Sequence, residues 1–397
     1  MSDSIPLSVP CIRGTEWQYV KECLDTEWVS SAGRFVEQFE AGIAAFTGAA
    51  YAVACVNGTA ALHVALRIAG VRPGDEVVVP TITFIAPVNA VHYLSAQPSF
   101  QDADGFYNID AAKLREFLTT QTVRTADGTV NKHTGRRVAA VVPVHVFGNA
   151  CWLDDVVPLC RDLGIAVVED ATEAVGTVYR EGRFAGRHAG TVGDLGCLSF
   201  NGNKIITTGG GGMILTNNPD YAARARYLTT QAKDDEVRYI HHEVGYNFRL
   251  TNLQAAVGVA QLERLPEFLR TKRANYARYA EGLRGVEGLR LGGTPDYADN
   301  NHWMYALQID APVFGRDRES VMHELDGRGI QTRPVWYLNH RQRPYERCFA
   351  YRVEQADALW RQTLNVPCSS GLAATQVDTV VTTLRSLRAL GATVAGA

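Results

Sequence analysis

The chain alternates short apolar runs with stretches whose apolar positions recur every three or four residues. "YAVACV" (51–56) predicts a strand, and "TAALHVALRIAG" (59–70) a helix ending at Gly70. "DEVVVP" (75–80) and "QPSFQD" (97–102) predict strands on either side of a helix over 86–96. A helix over 111–118 leads to the apolar run "RVAAVVPVHV" (137–146), then a helix over 153–164 and the strand "IAVVED" (165–170). "LGCLSF" (195–200) and "GGMILTN" (211–217) add further strands. Strands apolar on both faces and joined by helical crossovers predict a mostly parallel central sheet flanked by helices, the α/β class. A long helical stretch over about 251–284 follows, with an interruption expected at Pro266. It is expected to lead from a large domain over 1–255 to a smaller C-terminal α+β domain over 256–397.

Composition narrows the classes. At 397 residues, 46% hydrophobic and 20% charged, the chain is long enough for two domains and is of ordinary globular type. A formal charge of −3 supplies no broad basic field, so neither nucleic acid nor an anionic membrane surface is an expected partner. The 8 cysteines are scattered without a C-x-x-C pair, which suits neither a zinc site nor a disulfide framework. "MSDSIPLSVP" does not read as a secretion signal, and no run approaches the ~18 apolar residues of a spanning helix. The expected compartment is the reducing cytoplasm. No metal is expected either. In "DADGFYNID" (102–110) the glycine falls too early for a calcium loop, and the adjacent His241 and His242 diverge on any regular element. "GGGG" lacks the G-K-[ST] ending of a phosphate-binding P-loop.

Candidate chemistry gathers where strands end, because ligands of open α/β sheets bind outside the carboxyl ends of the strands. In "VNGTAAL" (56–62) a strand runs into Asn57, Gly58 and Thr59 as a helix begins; the free N–H donors and helix dipole of such a start favour a phosphate. "VVEDA" (167–171) places Asp170 at a strand end, where a buried carboxylate needs a cationic partner. "SFNGNK" (199–204) sets Lys204 five residues after Ser199. Separately these read first as a helix cap and a surface lysine, with the turn at Asp170 an even alternative. Together they supply what pyridoxal phosphate (PLP) requires: an amine for its aldehyde, a carboxylate for its pyridine nitrogen and donors for its phosphate. Ser199 then serves the phosphate and Lys204 the aldehyde.

The same residues resemble a family. "FVEQFEAGIAAFTGAAYAVACVNGTAALHVAL", "PGDEVVVPTITFIAPVNAV", "VVPVHVFGNACWLDDV", "VVEDATEAVGT", "SFNGNK" and "VGYNFRLTNLQAAVGVAQLERL" occur in the order seen in nucleotide-sugar aminotransferases of the DegT/DnrJ/StrS type, which are PLP enzymes of fold type I. The resemblance implies that Lys204 binds the cofactor aldehyde and shuttles protons, and that Asp170 pairs with the pyridine nitrogen. It implies a phosphate site of Gly58, Thr59, Ser199 and Asn247, with Phe84 stacked on the ring. Asn247 would come from the neighbouring subunit of a homodimer with shared active sites. Glu173 stands where the family usually has Gln or His near the ring hydroxyl, and the acidic residue common near Gly210 is absent.

Within the family, "IPLSVPCIRGTEWQYVKECLDTEWVSS" and "RPVWYLNH" look most like enzymes of legionaminic-acid-type biosynthesis. The resemblance then implies transfer of an amine from L-glutamate to C4 of a nucleotide-linked, UDP-type 4-keto-6-deoxy-N-acetylhexosamine. Arg333, His340 and Arg249 would grip that substrate. The alternatives are a C3 or GDP-sugar (perosamine-type) aminotransferase of the same family and, in another class, a non-enzymatic PLP-binding regulator. Lys204 argues against a sugar dehydratase of this fold, which carries His at that position.

Overall fold

The computed structural model describes residues 4–235 and 237–391. Among them an eight-stranded sheet runs, in spatial order, through Tyr51–Cys55, Gly212–Thr216, Leu195–Ser199, Ala166–Asp170, Val138–Val141, Glu76–Pro80, Gln97–Gln101 and Ala350–Tyr351. From Leu195–Ser199 to the far edge every pairing is parallel. Gly212–Thr216 alone is reversed, pairing antiparallel with both neighbours. Every residue of Glu76–Pro80, Val138–Val141, Leu195–Ser199 and Gly212–Thr216 is buried, which is why these segments read as continuous apolar runs.

Helices Gly58–Ile68, Ala86–Tyr93, Ala111–Thr120 and Val156–Leu163 supply the crossovers, close to where periodicity places them. The apolar run over 137–146 is strand only as far as Val141. Pro143 has no N–H for a ladder, and a tight turn at Val146–Gly148 follows. The glycine run also has a packing reason, since a Cβ on Gly212 would collide with the backbone of Asn57.

The helix Asn252–Gly282 opens with a capping box, in which Thr251 and Gln254 exchange hydrogen bonds. The expected interruption does not occur, because the helix passes through Pro266. Buried Leu265, Phe268 and Leu269 hold this segment in place, so packing overrides the missing backbone donor. Beyond it, Leu289–Leu291, Tyr305–Ile309, Thr363–Val366 and Arg333–Pro334 form an antiparallel sheet. The C-terminal segment also returns to the large sheet, where Ala350–Tyr351 forms an edge strand that the sequence pattern did not foretell. Among the described residues no helix is long and apolar enough to cross a membrane, and no three His, Cys, Asp or Glu residues are grouped to hold a metal ion.

Candidate active site

The strands ending at Cys55, Asp170 and Ser199 run in the same direction, so their carboxyl ends share one edge of the sheet. There they border a cavity of about 280 Å³ lined in part by Gly58, Thr59, Phe84, Glu173, Ser199 and Lys204. The helix Gly58–Ile68 starts in its wall. Asn57 caps it by accepting the Ala60 N–H at 2.8 Å, which leaves the N–H groups of Gly58 and Thr59 as first-turn donors for a ligand. A Cβ on Gly58 would stand 3.0 Å from Ser199 Cβ and 3.2 Å from Thr172 Cγ2, filling this cradle.

Lys204 lies in the turn after Ser199, its N–H donating to the Asn201 carbonyl at 3.0 Å. Its Nζ lies 3.9 Å from Glu173 Oε1 and 4.0 Å from the centre of the Trp303 ring. Burial pushes the amine below the usual lysine range, against the opposing pull of Glu173 and Asp170. Burial likewise pushes the Glu173 carboxyl up to about 7, although Lys204 and the Phe147 N–H favour its charged form. Desolvation thus outweighs attraction for both partners.

Asp170 is buried behind this pair and accepts the Thr172 N–H at 3.1 Å. Burial raises its carboxyl above the ordinary range despite Thr172 and the pull of Lys204 and His145. A cationic ring nitrogen would relieve that cost. The donor set therefore fits PLP, with first-turn N–H groups and hydroxyls for a phosphate, a half-exposed Phe84 for a ring face, a buried carboxylate and an amine.

Glu173 is held from two directions. Phe147, at the left-handed φ of 58°, donates its N–H to Glu173 Oε2 at 2.8 Å. Asn301 Nδ2 donates to the Glu173 carbonyl at 2.7 Å, while Asn301 Oδ1 accepts the Trp303 N–H at 2.9 Å. Asn301 sits against Gly148, where φ is 86° and a Cβ would overlap the Asn301 amide.

The remaining sequence candidates lie outside the cavity lining. Asn247 is exposed and bridges to Thr230. Arg249, expected as a substrate grip, donates to Glu40 at 2.7 Å and to the Ala54 carbonyl at 3.2 Å, contacts that brace its guanidinium against the fold. His340 pairs through Nδ1 with Thr81 Oγ1 at 2.7 Å, and Arg333 is exposed, donating to its neighbour's carbonyl. Trp336 and Trp303 complete the wall. Trp336 falls in "RPVWYLNH", a segment already marked by its aromatic and basic residues, but nothing in "NNHWMY" marks Trp303.

Comparison with known proteins adds independent findings. A family model described as the DegT/DnrJ/EryC1/StrS aminotransferase family matches residues 10–385. The chain is 40% identical to a GDP-perosamine synthase of Caulobacter vibrioides, covering 97% of this chain and 99% of the relative. It is 33% identical to a GDP-perosamine synthase of Escherichia coli O157:H7, covering 94% and 95%. Among solved structures, the aminotransferase TlmJ from Streptoalloteichus hindustanus superposes with a TM-score of 0.86 at 30% identity, covering 97% of this chain and 99% of that one.

Proposed function

The chain belongs to the DegT/DnrJ/EryC1/StrS aminotransferase family and is a PLP-dependent sugar aminotransferase; from that premise we propose that it transfers an amine from L-glutamate to C4 of a GDP-linked 4-keto-6-deoxyhexose. The observation that carries the choice of nucleotide is the near-full-length similarity to GDP-perosamine synthases. It moves the reading from the UDP-linked, legionaminic-type substrate to the GDP-linked alternative. The match to an enzyme family over residues 10–385 also removes the case for a non-enzymatic regulator.

When bound, PLP supplies an electrophilic aldehyde and a ring that withdraws electrons from the reacting carbon. The chain supplies the rest. The N–H groups of Gly58 and Thr59, with the Ser199 hydroxyl, would hold the phosphate. Asp170 would keep the ring nitrogen protonated, and Phe84 would lie against a ring face. Lys204 Nζ would take the α-proton of glutamate and return a proton at C4 of the sugar, with Glu173 beside it as proton partner. The exposed Arg333 stands as a contact for the substrate diphosphate, whose binding energy would orient the ketone.

We also propose a two-fold dimer in which the exposed Asn247 reaches the partner's phosphate site. Mixed Lys204→Ala and Asn247→Ala proteins are then expected to regain activity, because one hybrid site holds both groups. No recovery after verified subunit exchange would count against shared sites. The substrate reading is tested by supplying L-glutamate with GDP- and UDP-linked 4-keto-6-deoxy sugars. A preference of about tenfold or more in kcat/KM for the GDP sugar is expected. Equal or better use of UDP sugars, or of ordinary 2-oxo acids, would overturn it.

A further inference from the structure

Two groups face the Lys204 amine at nearly equal range, and only one is a carboxylate. The other is the Trp303 ring, whose centre is 4.0 Å from Nζ. A ring face attracts a cation most strongly where water is excluded, and Trp303 is 3% exposed. The ring is also fixed in place. Its indole N–H donates at 2.9 Å to the carbonyl of Asn203, the residue before the lysine. Ser8 Oγ donates to that same carbonyl at 3.1 Å. The Trp303 carbonyl accepts from the buried Lys272 at 2.8 Å, and the ring stacks on Trp336 with centres 6.4 Å apart. Through Asn301, the Trp303 backbone shares an anchor with Glu173, so both flanks of the amine are set by one amide side chain.

A transaminase lysine must stand aside, still charged or ready to be charged, while it is not joined to the cofactor. We propose that the face of Trp303 is the resting seat of the free Lys204 ammonium, making Trp303 a positioning residue that raises the proton affinity of this amine. The proposal rests on Lys204 being the cofactor lysine. The other ionisable groups facing it are Glu173, on the loop after Ala166–Asp170, and Asp170 at the end of that strand. Both carboxylates are present whether or not the ring is, so changing the ring isolates its contribution.

The test uses the cofactor-free full chain. Lys204 is pulse-labelled with acetic anhydride across pH 6–10 and read by peptide mass spectrometry, giving the midpoint at which the amine becomes reactive. Fluorinated tryptophans placed at position 303 keep the ring shape and indole N–H while weakening the π face stepwise, so the fold is preserved. The midpoint is expected to fall with each added fluorine, by about one unit over the series, a tenfold change in proton affinity. Trp303→Leu is expected at the end of that series and Trp303→Phe between it and the parent. A flat series, or Phe and Leu variants equal to the parent, overturns the proposal. Borohydride fixation of PLP, run in parallel, keeps the two readings apart. An adduct on another lysine removes the premise, whereas a flat series with the adduct on Lys204 removes only the seat.

Discussion

Glu169 and Glu173 are four residues apart, equally buried, and differently provided for. Glu169 accepts His145 Nε2 at 2.9 Å and the N–H groups of Gly190 at 2.8 Å, Val192 at 2.6 Å and Gly193 at 2.6 Å. The Cys151 N–H donates to His145 Nδ1 at 3.0 Å, which places the ring proton on Nε2 and makes it the donor. Burial pushes Glu169 up, but His145 and the N–H groups of Gly193 and Gly190 outweigh it and hold the carboxylate below its usual range. Glu173 has a single backbone N–H on its carboxylate and an amine 3.9 Å away, and burial wins. Where the donors are complete a buried carboxylate ties loops to the sheet. Where they are incomplete it stays responsive to protons, which is what a site needs.

The sharpest way to break this contrast is to remove the amine. Lys204→Ala is expected to lower turnover by about a thousandfold or more and to abolish the borohydride-fixed pyridoxyl peptide, while thermal melting changes little. Stability and chemistry should separate in the opposite sense at the other carboxylate. Glu169→Ala orphans the donors gathered around it and is expected to cost about 3–5 kcal/mol in urea unfolding. If instead it left stability intact, the scaffold role would be wrong.

Glu173→Gln sharpens the comparison through pH. The folded Glu173 carboxyl titrates at about 7, above its ordinary 4.5, so the folded state holds the extra proton between those values. Its contribution to cofactor-free stability is therefore full below about 4.5 and is lost as pH rises through about 7. The Gln variant should lack that loss, gaining about 1–3 kcal/mol on the parent between pH 4.5 and pH 8. Parallel stability curves for the two proteins would refute the assignment. The smallest effect is expected at Arg249→Gln. Glu40 keeps Arg226 at 2.8 Å and the Ala54 N–H at 2.8 Å, so a loss of about 1–2 kcal/mol is expected, with KM for the sugar unchanged within about twofold. A large rise in KM would return Arg249 to the substrate.

The same contrast explains what could be read from the sequence. Strands buried on both faces leave apolar runs, and helices leave periodicity, so the alternation of strands and helices and the mostly parallel class of the large sheet were legible, but its strand order and the reversed Gly212–Thr216 were not. Gly58, Ser199 and Lys204 stood at strand ends in the sequence pattern, and the structure gathers them around one cavity. The brace of Arg249 to Glu40 left no such mark, because it spans the fold and two residues so distant in sequence show no common pattern. Trp303 and Asn301 were silent for a related reason. They lie on an irregular connection between Asp299 and Tyr305, where no period distinguishes a wall of the cavity from a solvent loop. The edge strand Ala350–Tyr351 is two residues long and too short for alternation to reveal.

Gly148 is more than 50 residues from Lys204 in sequence and has no side chain, yet substitution there would reach both flanks of the amine. Any other residue would have to adopt a left-handed backbone and also displace the Asn301 amide that anchors Glu173 and Trp303. Drift at this position is therefore closed off by electrostatics as well as by shape. A laboratory lineage selected only for folding could accept a larger residue at 148 with compensating changes around it, and would lose control of the lysine's charge without any substitution in the cavity wall.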